Sequence, residues 1–237
     1  MNPNVPTIKI FADGAILDDV PKLRANAMIK GYTTNPTLMR TAGVKEYEAF
    51  ARKFLDATHG APVSLEVFAD DQPNMIRQAK ILASWGDAVY VKIPVTNTKA
   101  ESTRDAIREL SREGVKLNVT AVFTRAQIDS VVEALDARTP AIVSVFAGRI
   151  ADAGQDPAPY VQYAVEASRA KPNVEVLWAS CREIYSVMRA AQVGCHIITV
   201  PNDMMKKLDM FGRDLDQVSL DTVKMFFNDA ASSGYQL

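Results

Sequence analysis

The stretch AVYVKIPV, Ala88 to Val95, has the make-up of a buried β-strand with one cation, Lys92, in it. Both neighbours of that lysine, Val91 and Ile93, are β-branched and apolar, as in a parallel strand covered on both faces. An ammonium withdrawn from water loses its charge readily, because desolvation disfavours the ionised form. A neutral amine is a nucleophile toward carbonyl carbons. Taken alone, the stretch also suits a lysine whose stem lies on apolar surface while its head snorkels to water. The other strand-like runs bear on the choice. Asp13 ends TIKIFAD, Thr34 and Asn35 fall in GYTTNP, and Glu66 sits inside VSLEVFA. Asn118 and Thr120 are two apart in KLNVTAVF and share a face; Ser144 and Phe146 do the same in AIVSVFAG, with Arg149 just beyond. Ser180 ends EVLWAS, and Arg182 follows it.

Each of these residues has a plainer use. Asp13 before Gly14 suits a turn or a helix cap, Asn35-Pro36 suits a turn, and Thr120 is a good strand former. Arg149 and Arg182 could be ordinary surface cations. Glu66, between Leu65 and Val67, is the hardest to place this way, since buried carboxylates are rare without a partner. One such residue means little; a ring of them across seven strands reads as a site. His59 precedes a loop glycine and His196 opens a strand, which argues against triad, metal and histidine-electrophile mechanisms.

A desolvated lysine ringed by carboxylates, amides and hydroxyls suits Schiff-base chemistry on a ketose. The iminium draws electrons, while a carboxylate takes the proton from the hydroxyl beside the breaking C–C bond. Two arginines past neighbouring strand ends suit a terminal phosphate, bound by planar multidentate donors. Neither metal nor cofactor is called for.

Such a ring needs a scaffold that brings many strand ends together. Eight β-branched runs, from Thr7–Asp13 to His196–Pro201, alternate with segments of helical period such as PYVQYAVEASRAK and REIYSVMRAAQVG. That alternation predicts an α/β fold with a parallel sheet, and the count of eight favours a closed (β/α)8 TIM barrel. Chemistry then belongs at the C-terminal strand ends. No GxGxxG or GxxxxGK[ST] motif supports a nucleotide-binding open sheet. The 237 residues, 48% hydrophobic and 23% charged, read as a single domain over residues 1–237. A net charge of −1 implies no nucleic-acid partner and no membrane surface, and no apolar run approaches the ~18 residues of a membrane span. MNPNVPTIKI lacks the marks of a secretory signal, and Cys181 and Cys195 lack CxxC spacing, which together suggest reduced thiols in the cytoplasm. Beyond the barrel, a helix expected at about 215–232 carries Val218, Val223, Phe226, Phe227 and Ala230 on one stripe.

The motifs YTTNPT, VYVKIPVT, LNVTAVF, SVFAGRI and WASCRE, in this order, resemble the transaldolase family, in the short-chain branch that also contains fructose-6-phosphate aldolases. The match runs from Ile10 to about Leu208. The resemblance implies a class I aldolase barrel with a cytoplasmic role in pentose-phosphate or related sugar-phosphate metabolism. It implies Lys92 as the Schiff-base lysine and Asp13 as the acid/base, with Glu66 and Thr120 holding a proton-shuttling water. Asn35, Asn118 and Ser144 would bind the dihydroxyacetone hydroxyls, and Arg149 and Arg182 the phosphate. Thr34, Phe146 and Ser180 complete the expected substrate contacts. Transaldolases of the branch carry Glu and Phe where this chain has Glu66 and Phe146; the aldolases carry Gln and Tyr. A transferase is therefore expected, with an aldolase releasing free dihydroxyacetone as the alternative. Trp178 stands where relatives have a small residue, and its bulk suggests a narrowed or reshaped site; Cys181 suggests packing. The branch also implies a homo-oligomer, rings of five stacked into a decamer, with the last helix reaching a neighbour.

Overall fold

In a computed structural model describing residues 4–236, the β-branched runs form eight parallel strands. They are β1 (Lys9–Asp13), β2 (Ile29–Thr33), β3 (Val63–Glu66), β4 (Val89–Pro94), β5 (Leu117–Val122), β6 (Ala141–Val145), β7 (Val174–Trp178) and β8 (Ile197–Pro201). Each pairs with the next in chain order, and β8 returns to β1, so the barrel is closed. The helices are α1 (Val20–Ala25), α2 (Pro36–Thr41), α3 (Tyr47–Thr58), α4 (Gln72–Ala83), α5 (Arg104–Arg112), α6 (Arg125–Ala134), α7 (Ala147–Asp152), α8 (Ala158–Ser168), α9 (Ser186–Gln192) and α10 (Leu215–Ser233). None is long and apolar enough to cross a membrane.

Strand alternation separates two cores. Outward residues such as Val63, Leu65, Val91, Ile93 and Val119 belong to the large buried core that includes helix residues Ala79, Ile107, Leu110 and Ile128. A smaller apolar plug of Phe11, Ile142, Leu177, Ala179 and Ile197 fills the barrel itself. Phe11 fits because β2 offers Gly31 opposite it: a Cβ there would lie 2.6 Å from the ring. Above the plug, on the same inward faces, come the polar side chains.

Helix starts fix where each strand must end. The second strand runs two residues earlier than GYTTNP suggests, stopping at Thr33. Asn35 caps α2 by accepting from Leu38 N at 2.9 Å, and Pro36 takes the first helical position. Thr124 and Gln127 form a capping box at α6, closing β5 in the same way.

Register also corrects one expectation. Leu177 and Ala179 face into the barrel, so Trp178 between them faces out, 3% exposed, within the outer core. It neither narrows nor reshapes the cavity, because one step along a strand reverses the face. Helix α10 lies where the stripe placed it, yet it buries none of its residues; Phe226 is 63% and Phe227 73% exposed.

Candidate active site

A cavity of about 430 Å³ opens at the C-terminal ends of the strands. Asp13, Asn35, Glu66, Lys92, Asn118, Thr120, Ser144, Phe146, Arg149, Ser180 and Arg182 all line it. Of the residues selected from sequence, Thr34 alone stays outside. Its neighbour Thr33 faces in, so Thr34 faces out and donates its hydroxyl to Ser64 O at 2.9 Å. Its backbone contributes instead, through a carbonyl that accepts from Lys92 Nζ at 2.9 Å.

Lys92 does not snorkel. Its side chain is buried on the cavity wall, and pairing of β3 with β4 sets Glu66 directly beside it. The ammonium lies 3.2 Å from Glu66 Oε2. Asn118 is next in the same register on β5, so carboxylate, amine and amide form one row. Asn118 donates from Nδ2 to Ser64 Oγ at 2.9 Å and accepts from Ser144 Oγ at 2.6 Å. These bonds fix the amide's orientation and leave its second hydrogen uncommitted.

Asp13 lies at the end of β1. Burial pushes its carboxyl above the ordinary range, and the Thr33 hydroxyl and the Lys92 charge offset this only in part. Thr33 Oγ1 donates to Asp13 Oδ1 at 2.8 Å and shares a further hydrogen bond with Thr199 Oγ1. Thr120 differs from both. Among the buried side-chain polar atoms without a partner in the described residues, its Oγ1 is the only one on the cavity wall. The adjoining Ala121 takes φ 58°, where the pairing of β5 with β6 slips. That is a left-handed conformation rare outside glycine, and such strain concentrates at working sites.

The arginines stand on the rim. Arg149 lies on α7; Arg182 follows Ser180, itself left-handed at φ 61°. Arg182 is gripped side-on by Asp152, with Nε at 3.0 Å and Nη2 at 2.7 Å from Oδ2. This leaves Nη1 and one Nη2 hydrogen free of that carboxylate. Cys181, taken from sequence as packing, is buried and also borders the cavity, donating to Glu183 O. Burial pushes the second thiol, Cys195, up to about 12, beyond useful reactivity at neutral pH. His196 opens β8 and accepts from Val176 N at 2.9 Å, while His59 caps α3 on the surface.

Three inward residues were missed from sequence: Thr33, Ser64 and Thr199. Each stands two places before a residue of the cavity wall (Asn35, Glu66 and Pro201), so extending the period of two along each strand would have found them.

What this arrangement can do is hold a carbonyl substrate against a buried amine, with two carboxylates nearby and cations at the mouth. Comparison with known proteins points the same way. The family model described as Transaldolase/Fructose-6-phosphate aldolase matches residues 10–237. A "Probable transaldolase" from Thermoanaerobacter sp. is 34% identical over 203 residues, covering 85% of this chain and 89% of that protein. A "Probable transaldolase 2" from Listeria monocytogenes is 32% identical over 202 residues, covering 85% and 88%. A crystal structure from Burkholderia cenocepacia, with a provisional lyase/mutase assignment, superposes with TM-score 0.58 at 15% identity over 97% of this chain and 85% of that one; it speaks for the barrel alone. By length of match and identity, the chain belongs to the transaldolase/fructose-6-phosphate aldolase family.

Proposed function

We propose that this enzyme is a transaldolase that moves a dihydroxyacetone unit from a ketose phosphate, such as fructose 6-phosphate or sedoheptulose 7-phosphate, to an aldose phosphate. The observation that carries this reading is the buried Lys92 amine held 3.2 Å from Glu66 in a cavity that also contains the Asp13 carboxyl. Lys92 Nζ adds to the ketose carbonyl carbon and, with loss of water, gives an iminium. Asp13 takes the proton of the C4 hydroxyl, the C3–C4 bond breaks, and its electron pair flows to the iminium nitrogen, leaving an enamine. The aldose phosphate departs. An acceptor aldehyde then meets the enamine carbon, and Asp13 returns its proton to the new alkoxide. Hydrolysis of the product imine frees Lys92.

The remaining wall divides the supporting work. Glu66 and the unpartnered Thr120 hydroxyl hold the water that enters and leaves at the imine. Asn35, Asn118 and Ser144 take the hydroxyls of the three-carbon unit, and Ser180 lies toward the phosphate end of the ketose. Arg149 and Arg182 bind that phosphate with charge-assisted bonds. Phe146 decides between transfer and release: its ring lines the cavity and, set beside the enamine, would offer no proton. The site belongs to a cytoplasmic barrel in sugar-phosphate metabolism, and the enzyme works without cofactor. The exposed α10 face supports assembly into a homo-oligomer, and the family resemblance suggests rings of five stacked as a decamer.

The test is product balance. With fructose 6-phosphate alone the enzyme should release little dihydroxyacetone; adding erythrose 4-phosphate should yield sedoheptulose 7-phosphate at a far higher rate. Phe146→Tyr should raise release relative to transfer, since positioned acid catalysis contributes ~10²–10⁴-fold to a proton transfer. Wild type cleaving as fast without acceptor as with it would make the protein an aldolase instead.

A further inference from the structure

Asp13 must act first as a base and then as an acid, and the groups that hold it differ from those around the other carboxylates. Arg182 clamps Asp152 and Arg138 clamps Asp136, donors that favour the charged form alone. Asp13 is held by hydroxyls. Thr33 Oγ1 lies 2.8 Å from its Oδ1, and behind Thr33 stands Thr199 Oγ1 on β8, within hydrogen-bond distance of Thr33. Both threonines are buried, 4% and 5% exposed, and both border the cavity. The strand pairings explain the assembly, because β1 lies between β2 and β8 and is paired to both.

A hydroxyl has one hydrogen and can both give and receive. When Asp13 is a carboxylate, Thr199 donates to Thr33 and Thr33 donates to Asp13. When Asp13 carries its proton on Oδ1, each bond can reverse: the acid donates to Thr33, and Thr33 to Thr199; with the proton on Oδ2 the first arrangement persists. Asp13 and both threonines keep a partner in either state; in the second, the Thr199 hydrogen turns to the cavity that Thr199 borders. An arginine or a backbone N–H can only donate, so it would favour the ionised state and could not accept the acid's proton.

We infer that Thr199 is a positioning residue that acts through Thr33, forming a reversible hydroxyl chain that supports both protonation states of Asp13. This rests on the assignment of Asp13 as the acid/base. The charged and titratable groups around Asp13 are few: Lys92 on β4 is the charge that acts on it, and Glu66 on β3 shares the cavity. Beyond Gly14, Asn202 donates to Asp19 at 3.1 Å and engages that carboxylate. Level with Asp13 the flanking strands present Thr33 on β2 and Pro201 on β8, with Thr199 two residues before Pro201.

The test compares Thr199→Val, which keeps shape and removes the hydroxyl, with Thr199→Ser, which keeps the hydroxyl, in the full-length enzyme. Transfer from fructose 6-phosphate to erythrose 4-phosphate is measured across pH, with thermal unfolding of each variant. Without Thr199, Thr33 becomes a weaker donor, and the charged form of Asp13 loses more than the neutral form. The acid limb of the kcat profile should then move to higher pH by about 0.3–1 unit, with kcat down about three- to tenfold and KM within about twofold. Thr199→Ser should restore both the limb and the rate. An unmoved limb and an unchanged kcat in Thr199→Val overturn the chain. So does a serine variant as impaired as valine, which would show a merely structural methyl group. Asp13→Asn separates the underlying assignment: if it retains full transfer activity, that assignment falls and the chain with it. If it is inactive while Thr199→Val matches wild type, only the chain fails.

Discussion

Gly148→Ala should damage the phosphate end of the site while leaving the amine end intact. Gly148 is the second residue of α7, one before Arg149, and its N–H donates to Ala179 O at 3.1 Å. A Cβ built there would lie 1.6 Å from the carbonyl oxygen of Ser180. Carbon and oxygen rest about 3.3–3.6 Å apart in ordinary contact, so roughly 2 Å of movement is needed. Ser180 cannot yield easily, since it is already left-handed at φ 61°, and the moving segment carries Arg182. Overpacking of this kind costs about 1–3 kcal/mol, and the lost Ala179 bond about 1 more. For a chain of this length each kcal/mol lowers Tm by about 2–4 °C, so a fall of roughly 4–16 °C is expected. Displacing Arg182 from Arg149 forfeits a charge-assisted bond, about 1.5–3 kcal/mol, or about a 10- to 150-fold rise in KM for phosphorylated donors. Unphosphorylated fructose should change little. Calorimetry with steady-state kinetics on both donors decides it. A variant that melts within about 2 °C of wild type and binds fructose 6-phosphate normally would refute the packing argument.

Asp13→Asn should stabilise the fold while abolishing transfer. The carboxyl's folded pKa lies above its ordinary 3.8, so its contribution to stability is fully present below 3.8 and is lost as pH rises through the folded value. The variant should therefore show a higher urea midpoint than wild type at pH 7, with the gap closing in acid; equal midpoints at pH 7 would contradict the burial argument. Thr120→Val removes the unpartnered hydroxyl; urea unfolding should show a gain of about 1 kcal/mol, and transfer should fall at least about tenfold. A destabilised but active variant would deny that hydroxyl its role. On α10, Phe226→Asp with Phe227→Asp should split the assembly, and a wild type already monomeric by light scattering at micromolar concentration would sink the oligomer proposal.

The barrel was legible because its two cores are written as two periods. Runs such as KLNVTAVF alternate inward and outward residues, and the helices between carry their own apolar face, so strand number and order followed from pattern alone. Strand ends were less legible, since caps set them: Asn35 is both a cap for α2 and a wall residue, whereas from sequence Asn35-Pro36 suits a turn as an alternative to a site. Trp178 was misplaced because size was weighed without its face; Leu177 and Ala179 on either side decide it. Thr33 and Thr199 escaped notice because a threonine in a strand is ordinary. Their significance is the approach of β8 to β1, a contact between residues far apart in the chain. The Arg182–Asp152 clamp escaped for the same reason, as it joins α7 to the loop after β7.

The central claim is that the Lys92 amine forms an imine with the donor sugar. Borohydride added to the enzyme with fructose 6-phosphate, followed by peptide mass spectrometry, reads this directly. The peptide that contains Lys92 should carry one reduced sugar fragment, absent without sugar and absent in Lys92→Met, with activity lost in step with its formation. An adduct on another lysine, or inactivation with no adduct at all, would contradict the mechanism.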